Sequence, residues 1–524
     1  MLFNSHVFIF LFLPATLLVY FVLGNRSTRM AAAWLTIASL FFYGWWNPAY
    51  IFLLIISILF NYSIGTALVR ENARDRYPKR RKKMLLIIGI TINLLILGYY
   101  KYSNFFLSVV SESLSIEWTI TNIILPLGIS FFTFTQITFL VDAFRGEVKE
   151  NNLIYYSLFV TYFPHLIAGP ILYHKEMMPQ FGRQSTYRFN YENLAVGLTI
   201  FSIGLCKKVI FADSIAPYAQ AVFKAASNGQ ALTFIEAWAG SIGYSLQLYF
   251  DFSGYSDMAI GLARLFGLRL PLNFYSPYQA TSIIEFWRRW HMTLSRFLKD
   301  YLYIPLGGNR KGSLRRFMNV MITMLLGGLW HGAGWTFILW GGIHGLYILI
   351  NYAWRVFRSS LGYDLSRSTW WGREASRAFT FVVVVLAWVL FRAESIDAAL
   401  NVYKGMMGLN GFVLPQVWMT YLGPLGGWLS DQGMLFGVTP AFTHALQGSF
   451  LIISLFVIAW YFPNTQQIMD KFEPAIETYR NEDRTYALRM KWMPNLKWAV
   501  GSGLLMTASI IMIDKVSEFL YFQF

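Results

Sequence analysis

Cysteine is nearly absent from this sequence. One residue, Cys206, in 524 excludes any intrachain disulfide. It closes an apolar run ahead of Lys207 and Lys208. There it reads as a small packing residue near a helix end, with lipidation as the alternative. Charge is scarce as well: Asp, Glu, Lys and Arg make up 13% of the chain against 56% hydrophobic residues. No Lys or Arg precedes the apolar run Val7 to Leu23, whereas Arg26 and Arg29 follow it. That order predicts an uncleaved first helix with its N-terminus outside, not a cleavable signal peptide. There is no Gly-x-Ser-x-Gly elbow, no P-loop, no repeat of fixed period and no low-complexity segment. No cluster has metal-ligand spacing, so no metal is expected.

What the sequence does have is apolar runs of 17 or more residues, recurring along its whole length. A soluble chain this long would divide into three or four domains at roughly 150 residues each. These runs exclude that division, because each is close to the ~20 residues a membrane-spanning helix needs. A β-barrel would show weaker, alternating segments of about ten residues. The expected fold is therefore all-α: a polytopic integral membrane protein with 11 to 13 transmembrane helices plus re-entrant or interfacial helices. The formal net charge is +16. Its basic residues fall in short segments between apolar runs, as the positive-inside rule requires, which argues against a nucleic-acid partner and makes anionic lipid headgroups the natural neighbours.

Met30 to Trp46 and Ala49 to Val69 read as the second and third helices. The segment Arg70 to Lys83, with eight Lys or Arg against two acids, is the strongest cytoplasmic marker. Three crossings from an outside N-terminus reach it, so the two signals agree. Met84 to Tyr100 then crosses outward to Ser103–Glu117, a loop without Lys or Arg. Ile120 to Val141, Asn152 to Pro170 (broken by Pro164, Gly169 and Pro170), Asn193 to Phe211 and Ile235 to Leu262 are further helices. Phe266 to Arg316 is aromatic, basic and too polar for one clean crossing, and reads as interfacial or re-entrant helices covered by protein. Phe317 to Leu329 and Trp335 to Ile350 flank His331. Later helices are expected at Phe379–Phe391, Phe450–Phe462 and Val500–Ile513. Gly411–Gln447 is expected as an outer loop, and Pro463–Lys497 as a cytoplasmic one. A single domain, 1–524, is expected, with a motif core of about 120–350 and C-terminal helices over 375–524.

Two stretches hold the candidate chemistry. Gly327 to Gly345 carries His331 and His344 in a glycine-rich apolar run, and Glu285 to Ser295 carries His291. An ionisable side chain at membrane depth is costly and is a functional candidate by default. A neutral imidazole can accept a hydroxyl proton near neutral pH. The competing reading of His331 is a histidine hydrogen-bonded in a helix interface; Gly327, Gly328, Gly332 and Gly334 weigh against it by suggesting space for a substrate. For His291 the competing reading is an interfacial anchor formed with Trp287 to Trp290. His344 follows His331 by 13 residues, about 20 Å along a straight helix, and reads as structural. His165 marks a helix break. Asp251 and Asp257 are six apart and do not share a helix face, which argues against a paired-carboxylate site. An internal network with Ser253, Tyr255 and Ser256 is preferred, with orientation of a histidine as the alternative. Pro305 to Gly312 is not a P-loop, yet Arg310 and Lys311 can receive the phosphates of a nucleotide-like donor; a plain positive-inside loop is the simpler account.

Trp287-Arg-Arg-Trp-His-Met-Thr-Leu-Ser295, Asp300 to Gly312, Leu329-Trp-His-Gly-Ala-Gly-Trp335 and Trp340 to Gly345 together resemble the membrane-bound O-acyltransferase family. The resemblance is greatest to its bacterial alginate O-acetylation branch, and extends to Gln247–Gly261, Phe163–Pro170 and the opening Phe8–Pro14. It covers nearly the whole chain and weakens after about Leu409. It implies a ring of helices around a thinned, tunnelled centre in the bacterial inner membrane. It implies His331 as catalytic base and His291 as the second functional histidine. Trp330, Asn309, Arg310, Asp251 and Trp290 are the candidate substrate-binding residues in these motifs. The implied reaction passes acetyl groups from a cytoplasmic donor, acetyl-CoA, toward a periplasmic polysaccharide such as alginate, with no bound cofactor and with a periplasmic acetyltransferase of the SGNH-hydrolase type as partner. Two rivals remain at this stage. One is D-alanyl transfer to teichoic acid. The other is a polysaccharide or lipid transporter, which the lack of paired halves disfavours.

Overall fold

A computed structural model describes residues 1–73, 79–115, 123–148, 152–364, 369–476, 490–513, 517 and 519–520. The centre of the basic segment Arg70–Lys83, the end of Ser103–Glu117, the start of Ile120–Val141 and 477–489 of Pro463–Lys497 lie outside the described residues. The chain folds as α1 (Leu13–Gly24), α2 (Thr28–Gly44), α3 (Ala49–Ala73), α4 (Lys79–Leu114), α5 (Ile129–Arg145), α6 (Leu153–Thr161), α7 (Phe163–Leu166) and α8 (His174–Phe181). Next come α9 (Tyr191–Cys206), α10 (Asp213–Ser227), α11 (Phe234–Leu265), α12 (Ile283–Arg289), α13 (Met292–Leu298), α14 (Gly312–His331), α15 (Trp335–Ser360), α16 (Trp370–Arg392) and α17 (Ile396–Met406). The last are α18 (Gln416–Leu422), α19 (Pro424–Asp431), α20 (Ala445–Tyr461), α21 (Thr465–Ile468) and α22 (Leu496–Ile511).

Among the described residues, five helical stretches are long and apolar enough to cross a membrane: α3, α4, α9 continued into α10, α15 and α16. Three shorter apolar helices start at Phe8, Ala445 and Leu496. Several of the remaining helices carry polar groups that the protein itself buries, such as Gln136 on α5 and Asp251 on α11. Phe10, Phe52 and Leu95 face outward, while buried amides bond to one another inside. Asn93 donates to Asn61 at 2.7 Å, and Gln136 donates to the Ser57 hydroxyl at 2.8 Å. Polar groups turned inward and apolar ones outward are what a lipid solvent selects.

At the centre α9 packs on α11 through glycines. A Cβ on Gly204 would lie 2.6 Å from the Gly254 carbonyl oxygen, and one on Gly261 would lie 2.7 Å from that of Gly197. Small residues at this spacing let two backbones touch, which is how helices gain contact where lipid offers no hydrophobic drive. The turn after α9 is π-helical, Lys207–Ala212, and so is Lys299–Tyr303 after α13.

Two expected boundaries move. α4 continues through most of Ser103–Glu117, ending at Leu114, because nothing in Ser103 to Ser113 breaks a helix. Gly411–Gln447 is not one loop: it contains α18, α19 and a parallel strand pair, β1 (Val413–Pro415) with β2 (Leu435–Gly437). The polar stretch Phe266–Arg316, expected as interfacial or re-entrant helices, folds into extended chain, two short helices and a π turn; it is largely buried up to Leu298 and mostly exposed from Ile304 on.

Candidate active site

The chain reverses between α14 and α15, and His331 is the last residue of α14. Two of the four glycines expected to leave room for a substrate, Gly328 and Gly332, instead close this hairpin. A Cβ on Gly328 would meet the Phe337 carbonyl oxygen at 2.2 Å, and one on Gly332 would meet the Phe337 ring at 2.1 Å. Their small size is used for close packing, against backbone at Gly328 and against the Phe337 ring at Gly332, not for a void. The reversal also corrects the position of His344. Instead of standing far along one straight helix, it shares an aromatic neighbour with His331: the Trp340 ring is 5.0 Å from His331 and 4.8 Å from His344.

His291 and His331 come together, with ring centroids 6.4 Å apart. Both are buried. Trp330 lies 4.9 Å from His331 and 6.0 Å from His291, and Phe391 lies 5.1 Å from His331. His291 adopts a left-handed backbone, φ 42°, just before α13, a conformation that costs a non-glycine residue energy and persists only when its surroundings impose it. Asn273 imposes it. Its backbone carbonyl accepts from Met292 N–H at 3.0 Å. Its side-chain oxygen accepts from the Thr293 N–H and hydroxyl, at 3.4 and 2.8 Å. The backbone N–H can only donate, so the Asn273 atom it meets is the amide oxygen. His291 Nδ1, 3.1 Å from that same oxygen, therefore carries a hydrogen, and Nε2 is left as the acceptor nitrogen of a neutral ring.

Sequence reasoning missed the residues that hold the end of α14. The last four carbonyls of a helix have no partner within it. Two adjacent residues of α4 serve three of them. Tyr102 Oη donates to the Leu329 carbonyl at 2.9 Å. Lys101 Nζ donates to the carbonyl of Trp330 and, at 3.3 Å, to that of His331. Its third proton faces Ser130 Oγ at 3.5 Å. The ammonium also complements the negative end of the helix dipole. Lys101 and Trp330 line a cavity of about 590 Å³ together with Met1, Trp45, Trp46 and the Leu125–Phe131 turn. Trp330 is thus the wall between this cavity and the histidine pair.

The other nominated residues separate. Trp290 is buried in an aromatic wall, 4.9 Å from Trp388 and 5.0 Å from Phe274. Asn309 and Arg310 are exposed at the opposite end of α14, where Tyr303 Oη donates to Asn309 Oδ1. The 20 residues of α14 put them about 30 Å from His331 along the axis. Asp251 turns away from the histidines, although its neighbour Phe252 meets the His291 ring edge-on at 4.9 Å. Its carboxylate pairs with Lys208 Nζ at 2.8 Å and accepts from Leu520 N–H at 3.0 Å. Asp257 pairs with Lys207 at 2.6 Å. The expected network with Ser253 and Ser256 is thus replaced by ion pairs to the π turn after α9. His165 bonds the Phe159 carbonyl at 2.9 Å across the α6–α7 break, and His344 Nδ1 accepts from Trp287 Nε1 at 3.3 Å. Among the described residues no group of three His, Cys, Asp or Glu side chains is arranged to hold a metal.

Residues 142–391 match the MBOAT, membrane-bound O-acyltransferase family. This range contains both histidines. The chain is 44% identical over 441 residues to a peptidoglycan O-acetyltransferase of Helicobacter pylori, covering 79% of this chain and 81% of that one. It is 38% identical over 531 residues, end to end in both chains, to "Probable alginate O-acetylase AlgI" of Pseudomonas putida. A teichoic acid D-alanyltransferase of Bacillus subtilis is 30% identical over 236 residues, 43% of this chain and 58% of that one. These likenesses set the transporter reading aside, and the chain is a multi-pass membrane O-acyltransferase belonging to the membrane-bound O-acyltransferase family.

Proposed function

We propose that this enzyme passes acetyl groups from a cytoplasmic thioester, acetyl-CoA, to a hydroxyl acceptor at the outer face of the bacterial inner membrane, for O-acetylation of a polysaccharide. The observation that carries this reading is the buried pair His291–His331, two neutral-capable bases 6.4 Å apart at the closed end of an α-hairpin. In the reaction His331 takes the proton of the attacking hydroxyl as its oxygen adds to the thioester carbonyl. The tetrahedral adduct collapses, the C–S bond breaks, and the proton returns to the leaving thiolate. His291, fixed by Asn273, positions the donor or supports the base. The cavity beside Trp330 is the entrance for the acceptor, and the end of α14 that bears Asn309 and Arg310 is the side of the donor. A periplasmic acetyltransferase of the SGNH type would carry the group onward to the polymer.

Two relatives' names point to two polymers. The end-to-end match favours alginate, and the higher identity over four-fifths of the chain favours peptidoglycan. D-alanyl transfer is less well supported, because the likeness there spans 43% of this chain. The test is ester-bound acetate on isolated alginate and isolated peptidoglycan from cells carrying wild type or His331→Ala. Loss of acetate from one polymer in the mutant names the acceptor. A folded, inserted His331→Ala protein that sustains wild-type acetylation of both would defeat the assignment.

A further inference from the structure

A second site lies outside the histidine pair: neither His291 nor His331 is among its lining residues. Where α8 leads into α9 and meets the end of α11, four arginines line one groove of about 810 Å³: Arg183, Arg188, Arg264 and Arg269. Two acids share it, Glu176 and Glu192. Glu176 is already neutralised by a two-pronged pair with Arg296. Glu192 stands 3.6 Å from Arg264, too long for a good charge-assisted bond. Arg269 reaches exposed Glu473 at 2.9 Å, a pairing that solvent screens heavily. Among the described residues the lining is therefore net positive.

Arg264 gives the groove its specificity for an anion. Its side chain is 5% exposed, and its Nε is buried with no hydrogen-bond partner among the described residues. A guanidinium taken out of water needs its donors met, and an unmet one costs free energy that a bound oxyanion recovers. The floor is stiff: Arg269 N–H donates to Gln180 Oε1 at 2.8 Å, and Gln180 Nε2 returns a bond to the Arg269 carbonyl at 3.0 Å. Arg183 and Arg188 are exposed at the rim, free to close on a ligand as bidentate donors.

The groove opens at the basic end of the bundle. Lys82 bonds Asn72, Asn72 bonds the Ala143 carbonyl, Asp142 accepts from Tyr301, and Asp300 accepts from Tyr173. Tyr173 immediately precedes α8, whose Glu176 lies in the groove. A ligand arriving from the side of the Lys79–Lys83 run meets the arginines without crossing the membrane.

We propose that this groove is a phosphate-binding site, anchored by Arg264 and gated by Arg183 and Arg188. Two phosphorylated ligands reach that face: the nucleotide moiety of coenzyme A, which rests on the donor reading above, and an anionic phospholipid headgroup, which does not. The experiment uses the full chain in phosphatidylcholine nanodiscs. Coenzyme A binding is titrated on wild type, on Arg264→Gln and on the rim double variant R183Q/R188Q. In parallel, phosphatidylglycerol retained through purification is counted by native mass spectrometry. The rim residues are exposed, so their variant keeps the test sound if Arg264→Gln does not fold. A coenzyme A affinity at least tenfold weaker in the variants identifies the nucleotide. Unchanged coenzyme A binding with phosphatidylglycerol lost from the variants identifies the headgroup. Wild type and variants alike in both measurements would overturn the site. His331→Ala should bind as wild type does, so failure here and failure of the catalytic assignment are distinguishable.

Discussion

Two lysines buried in this protein are treated in opposite ways. Lys208, 2% exposed, sits between the carboxylates of Asp251 and Asp213, each at 2.8 Å, under the Phe519 ring. Lys101 sits against the end of α14, where its partners among the described residues are a hydroxyl and two backbone carbonyls. The first arrangement staples elements together: Asp251 and Asp213 also receive Leu520 N–H and the Ser517 hydroxyl, which ties the last described residues to α11 and the start of α10. The second holds the backbone of His331 without setting a carboxylate beside it. Charge neutralisation and positioning are thus separate tasks, performed at separate lysines.

That contrast can be broken in graded steps. The largest effect is at the histidines themselves. General-base catalysis is worth roughly 10²–10⁴ in rate, so His331→Ala should lose at least that, His291→Ala nearly as much, and the double variant little more than either. Coenzyme A release at saturating donor reads all three; additive losses would show that the two rings do not act as one unit.

Lys208→Met should act next, on stability. It leaves two carboxylates without their cation, and breaking a buried pair costs about 3–5 kcal/mol. Thermal unfolding in detergent should drop sharply, while the specific activity of protein that remains folded stays near wild type. Equal losses of folding and specific activity would merge the two tasks again.

Lys101→Met should do the reverse. The turnover number should fall about tenfold or more with KM for the donor nearly unchanged and unfolding displaced only slightly, because the change misplaces one helix end. Lys101→Arg, which still donates to carbonyls, should recover much of the rate. A Lys101→Met enzyme with wild-type turnover would reduce Lys101 to packing.

The smallest effect is expected at Arg310. It is exposed about 30 Å from His331, and Arg310→Ala should change donor KM by no more than a few-fold and leave turnover untouched.

These residues also show what could be seen before the fold. His291 and His331 stood out as candidates because ionisable groups are conspicuous against apolar neighbours, and the α14–α15 reversal could be read from the two apolar runs that flank His331. Lys101 was not. It follows the apolar Met84–Tyr100 run, where a lysine ordinarily reaches out to the interface, and its partners lie about 230 residues away. Asp251 and Asp257 misled for the same reason: the lysines that neutralise them are on another helix, and the spacing of the two acids says nothing about it. The role of Gly328 and Gly332 was inverted, since a missing side chain is equally the mark of a void and of close packing by a neighbouring backbone or ring. Local pattern reports where chemistry is unusual; only the packing of distant segments reports what satisfies it.

The most direct test is thiol release from acetyl-CoA by purified wild type and His331→Ala, assayed side by side with an accepting partner present. The account predicts release by wild type and a loss of at least a hundredfold in a mutant of unchanged thermal unfolding. Equal release by both proteins would contradict the assignment of His331 as the base.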